Sequence, residues 1–241
     1  MTRDYFGGSI AERYDETSAA MFAPEVVDPV VDVLVELAGS GRALEFGIGT
    51  GRIALPLAAR GIDVAGVELS SDMVGQLRAK EGGSGLDVAI GSFADTRVDG
   101  EFSLVYLVFN TISNLTSQAL QVACFRNAAA HLAPGGAFVI EVGIPDLRLL
   151  PPGQTGVVFA MENDHWGLDE YDVANQGLIS HHFERVDGQL VRNSLPFRYA
   201  FPAEFDLMAQ LAGLTLQDRW NDWDRSEFTS ESRKHVSVWV K

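Results

Sequence analysis

Cysteine, lysine and long apolar runs are what these 241 residues have least of. Cys124 is the single cysteine, so no internal disulfide can form and no thiolate cluster can hold a metal. Positive charge is scarce too: 18 Lys and Arg stand against 33 Asp and Glu, a formal net charge of −15. A surface of that sign opposes association with nucleic acid or an anionic membrane surface. The three lysines are Lys80, Lys234 and Lys241, and no Tyr-x-x-x-Lys pair occurs. Asp28, Asp32 and Glu36 break up the best apolar stretch, so no membrane span is expected. The first residues carry Arg3, Asp4, Glu12, Arg13, Asp15 and Glu16 without an apolar core. That predicts no signal peptide and a cytoplasmic location.

What is present is a β-α rhythm. Residues 24–38 place Val26, Val27, Val30, Val33, Leu34 and Leu37 at helical spacing before Gly39 and Gly41. Residues 43–46 read as a first strand, 51–60 as its helix and 62–67 as a second strand. Ser70 is a plausible N-cap for a helix through Met73, Val74 and Leu77. Strands follow at 86–90, 102–109 and 137–142, with a helix from Thr116 or Ser117 to His131 between the last two. This alternation predicts an α/β fold with a doubly wound, mostly parallel sheet.

The rhythm breaks after Pro145. Residues 155–200 lack helical period and contain Val186-Asp187-Gly188-Gln189, a two-residue hairpin turn between alternating segments. They are expected to form a small antiparallel β insert, a lid over the ligand edge of the sheet. A helix from Pro202 to Gly213 and strands at 214–216 and 235–240 complete the chain. The expected division is a core of residues 1–150 and 201–241, with 1–22 as an N-terminal arm or flap, and an insert of 151–200.

Residues 42–52 are the stretch on which function turns. A short buried strand runs into Gly47, Gly49 and Gly51, where the backbone can approach a ligand closely. The glycines alone are ambiguous. Gly49-Thr50-Gly51-Arg52-Ile53-Ala54 also fits the dinucleotide pattern G-x-G-x-x-A, with Glu68 placed as a ribose acid, so an NAD(P)-dependent oxidoreductase is one reading. Glu45 points elsewhere. A carboxylate two residues before Gly47 repels a pyrophosphate and suits an ammonium group.

Glu45-Phe46-Gly47-Ile48-Gly49-Thr50-Gly51 resembles the first motif of class I S-adenosylmethionine-dependent methyltransferases. An acid closing strand two, Gly-x-Phe-Ala-Asp after strand three and an asparagine loop after strand four are similar to that family's later features. More narrowly, Tyr14-Asp15 and the antiparallel lid resemble bacterial small-molecule methyltransferases that modify antibiotics and amino sugars. The resemblance implies a seven-stranded sheet with an antiparallel final strand beside strand five. It also implies S-adenosylmethionine as cofactor, S-adenosylhomocysteine as product, and roles for particular residues. Glu45 would meet the amino group of the methionine portion, with Gly47, Gly49, Gly51 and Arg52 forming the turn beneath it. Glu68 would accept both ribose hydroxyls. Leu69, Met73, Ser92 and Phe93 would surround the adenine; Ser92 stands where the family often has an acid. Phe109 and Asn110 would lie near the transferred methyl, and Tyr14 would reach over the sulfonium from the flap.

The acceptor is read from what surrounds that methyl. After strand four stands Asn110-Thr111-Ile112-Ser113. This is neither the Asn/Asp-Pro-Pro-aromatic sequence of exocyclic-amine nucleic-acid enzymes nor the acids of a metal-dependent catechol type, so no metal is expected. An oxygen acceptor needs a base, whereas an amine need only arrive unprotonated. The histidines to weigh are His131, His165, His181, His182 and His235. Strand alternation puts His181 with Ile179 and Phe183, and His182 with Ser180 and Glu184. If the apolar face looks inward, His181 joins Tyr14 as a catalytic candidate. Tyr5, Asn110, His165, Trp166 and His181 are the expected acceptor contacts. The expectation is methyl transfer to a small molecule, with an amine nitrogen favoured over an oxygen served by a His or Tyr base. An oxidoreductase and a non-catalytic cofactor-binding protein remain the other readings.

Overall fold

In the computed structural model, which describes residues 4–145, 147–186 and 188–241, the apolar runs meet in two sheets. The strands β1 (Ala43–Phe46), β2 (Val64–Glu68), β3 (Asp87–Ile90), β4 (Phe102–Leu107) and β5 (Leu132–Gly143) build the larger one. Then come β6 (Gly156–Met161), β7 (His165–Asp172), β8 (Gly177–Val186) and β9 (Gln189–Arg198), a four-stranded antiparallel sheet. The chain returns to the first sheet through β10 (Thr215–Trp220) and β11 (Lys234–Val240).

The larger sheet has the order β10-β11-β5-β4-β1-β2-β3. Its first five strands pair in parallel, and β11 runs antiparallel to both β5 and β10. Every residue of β1 and β2 is buried, which is why these strands read as unbroken apolar runs rather than alternating ones. The helices are α1 (Ser9–Thr17), α2 (Pro24–Ala38), α3 (Ala54–Ala59), α4 (Ser71–Arg78), α5 (Gln118–His131) and α6 (Pro202–Leu211). One face of the sheet packs Phe46, Phe138 and Trp239 against Phe125 of α5 and Phe205 of α6. The other packs Tyr106 and Val139 against Leu34 of α2 and Leu57 of α3. A parallel sheet covered on both faces offers a ligand only its strand ends, so the site falls at the carboxyl edge.

Two differences from the sequence expectation bear on the site. The first is α3, which starts at Ala54 rather than near Gly51, because Gly51 holds φ +85 and a side chain there would collide with Leu77. Pro56 is the third residue of the shortened helix, where its missing N–H has no helical partner to lose. The second is the arm, which is structured from Asp4 onward and tied to the glycine turn. Thr50 Oγ1 donates to Asp15 Oδ1 at 2.6 Å, Lys80 pairs with Asp15, and Lys80 Nζ donates to the Thr50 carbonyl at 2.8 Å. Gly8 N donates to Asp72 Oδ2 at 2.7 Å. Asp187 of the hairpin turn lies outside the described residues; the strands flanking it pair Val186 with Gln189. Among the described residues no helix is long and apolar enough to cross a membrane.

Candidate active site

The turn after β1 lies over the end of β2, with Gly47 N donating to the Val67 carbonyl at 2.8 Å. Gly47 and Gly49 both hold positive φ, and a Cβ on Gly47 would stand 2.5 Å from Thr111 Cγ2. Only glycine leaves this cradle open. Glu68, 9% exposed, caps the end of β2 and accepts from Gly49 N and Ser70 N, each at 2.9 Å. Burial pushes its pKa upward, and the N–H groups of Ser70, Gly49 and Leu69 pull against that. A cleft opens over this carboxylate and is lined by Tyr5, Tyr14, Gly47, Gly49, Glu68, Leu69, Met73, Ser92 and Phe93. One carboxylate to accept vicinal hydroxyls beside a Leu, Met and Phe wall is chemistry suited to a nucleoside. Asp4, Phe6, Thr111, Asn114 and Leu115 also line it, and the sequence reading missed them.

Glu45, Gly51, Arg52 and Phe109 are placed otherwise. Glu45 sits behind the turn, 3% exposed, taking a hydrogen bond from the Tyr106 hydroxyl at 3.0 Å. Burial raises its pKa from 4.5 to about 8, with the Tyr106 hydroxyl and the Arg52 charge working the other way. At neutral pH burial therefore favours the protonated form of this carboxyl. Arg52 reaches back from the turn: Nη1 donates to the Met21 carbonyl at 3.2 Å, and its guanidinium lies 5.3 Å over the Phe109 ring. Gly51 and Arg52 line a groove beside α2 on the back of the turn rather than the cleft.

The end of β4 is strained. Phe109 and Asn110 both adopt left-handed backbone, at φ 56 and φ 61, a conformation that costs a non-glycine residue on the order of 1 kcal/mol. Glu141 and Gly143 of β5 hold them there. Phe109 N donates to Glu141 Oε2 at 3.1 Å, and Gly143 N donates to Asn110 Oδ1 at 2.6 Å. The result turns the Phe109 ring outward, 40% exposed, into a second cleft.

This second cleft joins the first at Phe6, Tyr14, Thr111 and Asn114. Phe109 and Asn110 form its core side; Asp169, Tyr171, Leu178, Ser180, Leu195, Phe197 and Tyr199 form its lid side. Tyr14 belongs to both clefts, and burial raises its pKa, offset by Arg52. Two polar atoms here are buried without a protein partner, Asp169 Oδ1 and the Tyr199 hydroxyl.

The lid's orientation reverses one sequence expectation. Because Leu178 and Ser180 line the cleft, alternation along β8 puts His181 on the opposite face. There His181 Nδ1 lies 2.8 Å from Ser194 Oγ and Nε2 lies 3.3 Å from Glu170 Oε2. His181 thus faces away from the second cleft. Trp166 likewise falls on the face opposite Asp169 and Tyr171, and His165 lines a separate groove beyond the cleft's end. Tyr5 lines the nucleoside-type cleft rather than the second one. His131 accepts from Val98 N at 3.0 Å inside the core and only packs. The missed lid residues follow period-two spacing, Asp169 with Tyr171 and Leu195 with Phe197 and Tyr199. That pattern was readable, but not the direction it faced.

Known proteins bear on this arrangement. A family model described as a methyltransferase domain matches residues 43–136. The chain is 27% identical over 240 residues to the cypemycin N-terminal methyltransferase of a Streptomyces species, covering 93% of this chain and 96% of that protein. CalS10, an amino pentose methyltransferase from Micromonospora echinaspora, shares the fold at 19% identity with a TM-score of 0.70, covering 99% of both chains. The CcbJ methyltransferase from Streptomyces caelestis is 35% identical with a TM-score of 0.85, covering 98% of this chain and 97% of that one. Likeness of that degree along nearly the whole length makes this chain a member of the class I S-adenosylmethionine-dependent methyltransferases.

Proposed function

We propose that this chain transfers the methyl group of S-adenosylmethionine to an amine nitrogen of a small molecule held under the lid. The carrying observation is the second cleft. It meets the first at Tyr14, and its lid wall offers Asp169 Oδ1 and the Tyr199 hydroxyl without partners. A buried carboxylate oxygen beside aromatic rings suits an amine, and the −15 charge of the chain favours a cationic acceptor over an anionic one. The cypemycin relative, by its name, methylates an N-terminus, which supports nitrogen.

In this reading Glu68 takes the ribose hydroxyls, and Leu69, Met73, Ser92 and Phe93 enclose the adenine. Gly47 and Gly49 give the methionine portion room. Glu45, with Tyr106 behind it, meets the ammonium, while Arg52 and Gly51 shape the turn from the back. S-adenosylmethionine supplies an electrophilic methyl and its own leaving group, so the residues of the chain bind, align and exclude water. Tyr14 and Phe109 stand where the clefts meet, and aromatic faces there attract a sulfonium. The acceptor nitrogen's lone pair forms the new N–C bond as the C–S pair returns to sulfur.

The test is a panel with methyl-labelled cofactor: an aminohexose, its N-acetylated counterpart, a peptide with a free N-terminus and a catechol, read by product mass. Label in an amine but not in the acetylated sugar or the catechol is expected. Label in the catechol alone would overturn the nitrogen assignment.

A further inference from the structure

The lid carries a line of polar groups that alignment of the acceptor does not require. Asp169 and Ser180 face each other across β7 and β8, and both line the acceptor cleft. Register pairing sets the Ser180 hydroxyl beside the Asp169 carboxyl, where it works against the upward pKa shift of burial, and Asp169 Oδ1 is buried and unpartnered. Ser180 Oγ also lies 3.3 Å from His182 Nε2. His182 Nδ1 lies 3.1 Å from His165 Nε2, the two rings stacked with centroids 5.4 Å apart. His165 then lines an open groove with Arg13, Asp164 and Glu184, separate from the acceptor cleft. A carboxylate takes a proton and gives it back once protonated, and a hydroxyl and two imidazoles can each both give and take one.

We propose that Asp169, Ser180, His182 and His165 are a proton exit, carrying the proton lost by an acceptor ammonium from the cleft to the groove at His165. The inference rests on the amine reading, because methylating an ammonium must shed one proton per turnover. Asp169 Oδ1 takes that proton, freeing the nitrogen lone pair for the methyl carbon. The protonated carboxyl turns to give its proton to Ser180 Oγ, whose own proton, turned toward His182, moves to Nε2. His182 gives its Nδ1 proton to His165 Nε2, and His165 releases its Nδ1 proton to water. Turning the hydroxyl and exchanging the imidazole tautomers resets the line, with no oxidant or further reactant.

The surroundings suit this use. The Phe159 ring packs edge-on to His182, with centroids 5.3 Å apart, and occupies the space a side chain at Gly167 would need. Gly167 is the register partner of His182, so the glycine lets an aromatic cover the line from the open side. Burial holds the His182 pKa below the usual imidazole value, with the His165 charge adding to that and Asp169 and Glu184 opposing it. His182 is thus neutral near pH 7 and free to accept. The titratable or charged groups around the line are Glu184 on β8, Arg13 from α1, Glu162, Asp164 and Arg185 at the groove, and Tyr171 and Tyr199 along the cleft, while His181 acts from the opposite face of the sheet.

Two measurements test it. In 15N-histidine-labelled protein, His165→Gln should raise the His182 titration midpoint and Asp169→Asn should lower it. Titration of His182 that ignores both changes would overturn the line. With the methylated amine from the acceptor panel, Asp169→Asn and His182→Phe should each lower kcat by about tenfold or more, and His182→Phe should do so at unchanged KM. His165→Gln should make kcat depend on added imidazole buffer. A rise in KM with kcat intact in Asp169→Asn would reduce Asp169 to an ammonium partner and refute the exit. Wild-type protein that methylates no amine would instead sink the amine reading itself, so the two failures are distinct.

Discussion

Cofactor binding at pH 7 should expel a proton from Glu45. The carboxyl is 3% exposed, and burial raises its pKa to about 8, so about nine-tenths of the molecules hold it protonated at pH 7. The ammonium of S-adenosylhomocysteine, set against this carboxyl, favours the ionised form and returns the pKa toward 4.5. Up to about 0.9 proton per site is then released. At about 1.4 kcal/mol per pH unit, the rise from 4.5 to about 8 corresponds to on the order of 5 kcal/mol against the ionised form, which the ammonium contact must offset. Calorimetric titration of S-adenosylhomocysteine in two buffers of different ionisation enthalpy reads the released proton directly. Glu45→Gln should abolish the buffer dependence and weaken binding. Heat that is independent of buffer in the wild type, or equal release in Glu45→Gln, would refute Glu45 as the amino group's partner.

Other consequences follow from the same structure. His235 is fully buried, with Nδ1 2.7 Å from Ser237 Oγ and Nε2 unpartnered, and burial lowers its pKa to about 3. The unfolded chain takes up a proton below pH 6.5 that the folded chain refuses, so this residue's contribution to stability is lost as pH falls from 6.5 toward 3. That amounts to about 2 kcal/mol at pH 5. His235→Phe, which keeps a ring between Phe205 and Phe228, should remove that share of the difference between denaturation at pH 7.5 and pH 5; an unchanged slope would contradict it. Glu68→Ala should cost about 3 kcal/mol of S-adenosylhomocysteine affinity, near a hundredfold, through the lost ribose bonds and the loosened Gly49 and Ser70 N–H groups. Calorimetry showing wild-type affinity would disprove the ribose assignment. His181→Ala should leave methyl-transfer turnover within about twofold, whereas a general base contributes on the order of a hundredfold or more. A loss of that size in steady-state assays would return His181 to the site.

The sequence carried the sheet because its central strands are buried on both faces and therefore read as apolar runs; residues 43–46 coincide with β1 as found. The lining of the first cleft was legible for a related reason, since Gly47, Gly49 and Glu68 bring backbone room and one carboxylate together at fixed chain positions. Residues whose placement depends on distant chain were not. Alternation divided His181 from His182 correctly but said nothing of which face met the core, and polarity misled because an acceptor wall is itself mixed. Asp15 pins the arm only through Thr50 and Lys80, 35 and 65 residues away in sequence, contacts that no local pattern announces. Arg52 turns back to Met21 and Phe109 instead of forward because α3 starts later than its apolar residues suggest.

Passage of a methyl group to nitrogen where the two clefts meet can be read in the product itself. The most direct test incubates the protein with 13C-methyl-labelled S-adenosylmethionine and an aminohexose or a free-N-terminus peptide, and reads the product's carbon resonance. A labelled N-methyl signal that disappears in Glu68→Ala and falls sharply in Asp169→Asn is expected. A labelled O-methyl signal, or an N-methyl signal indifferent to both changes, would contradict it.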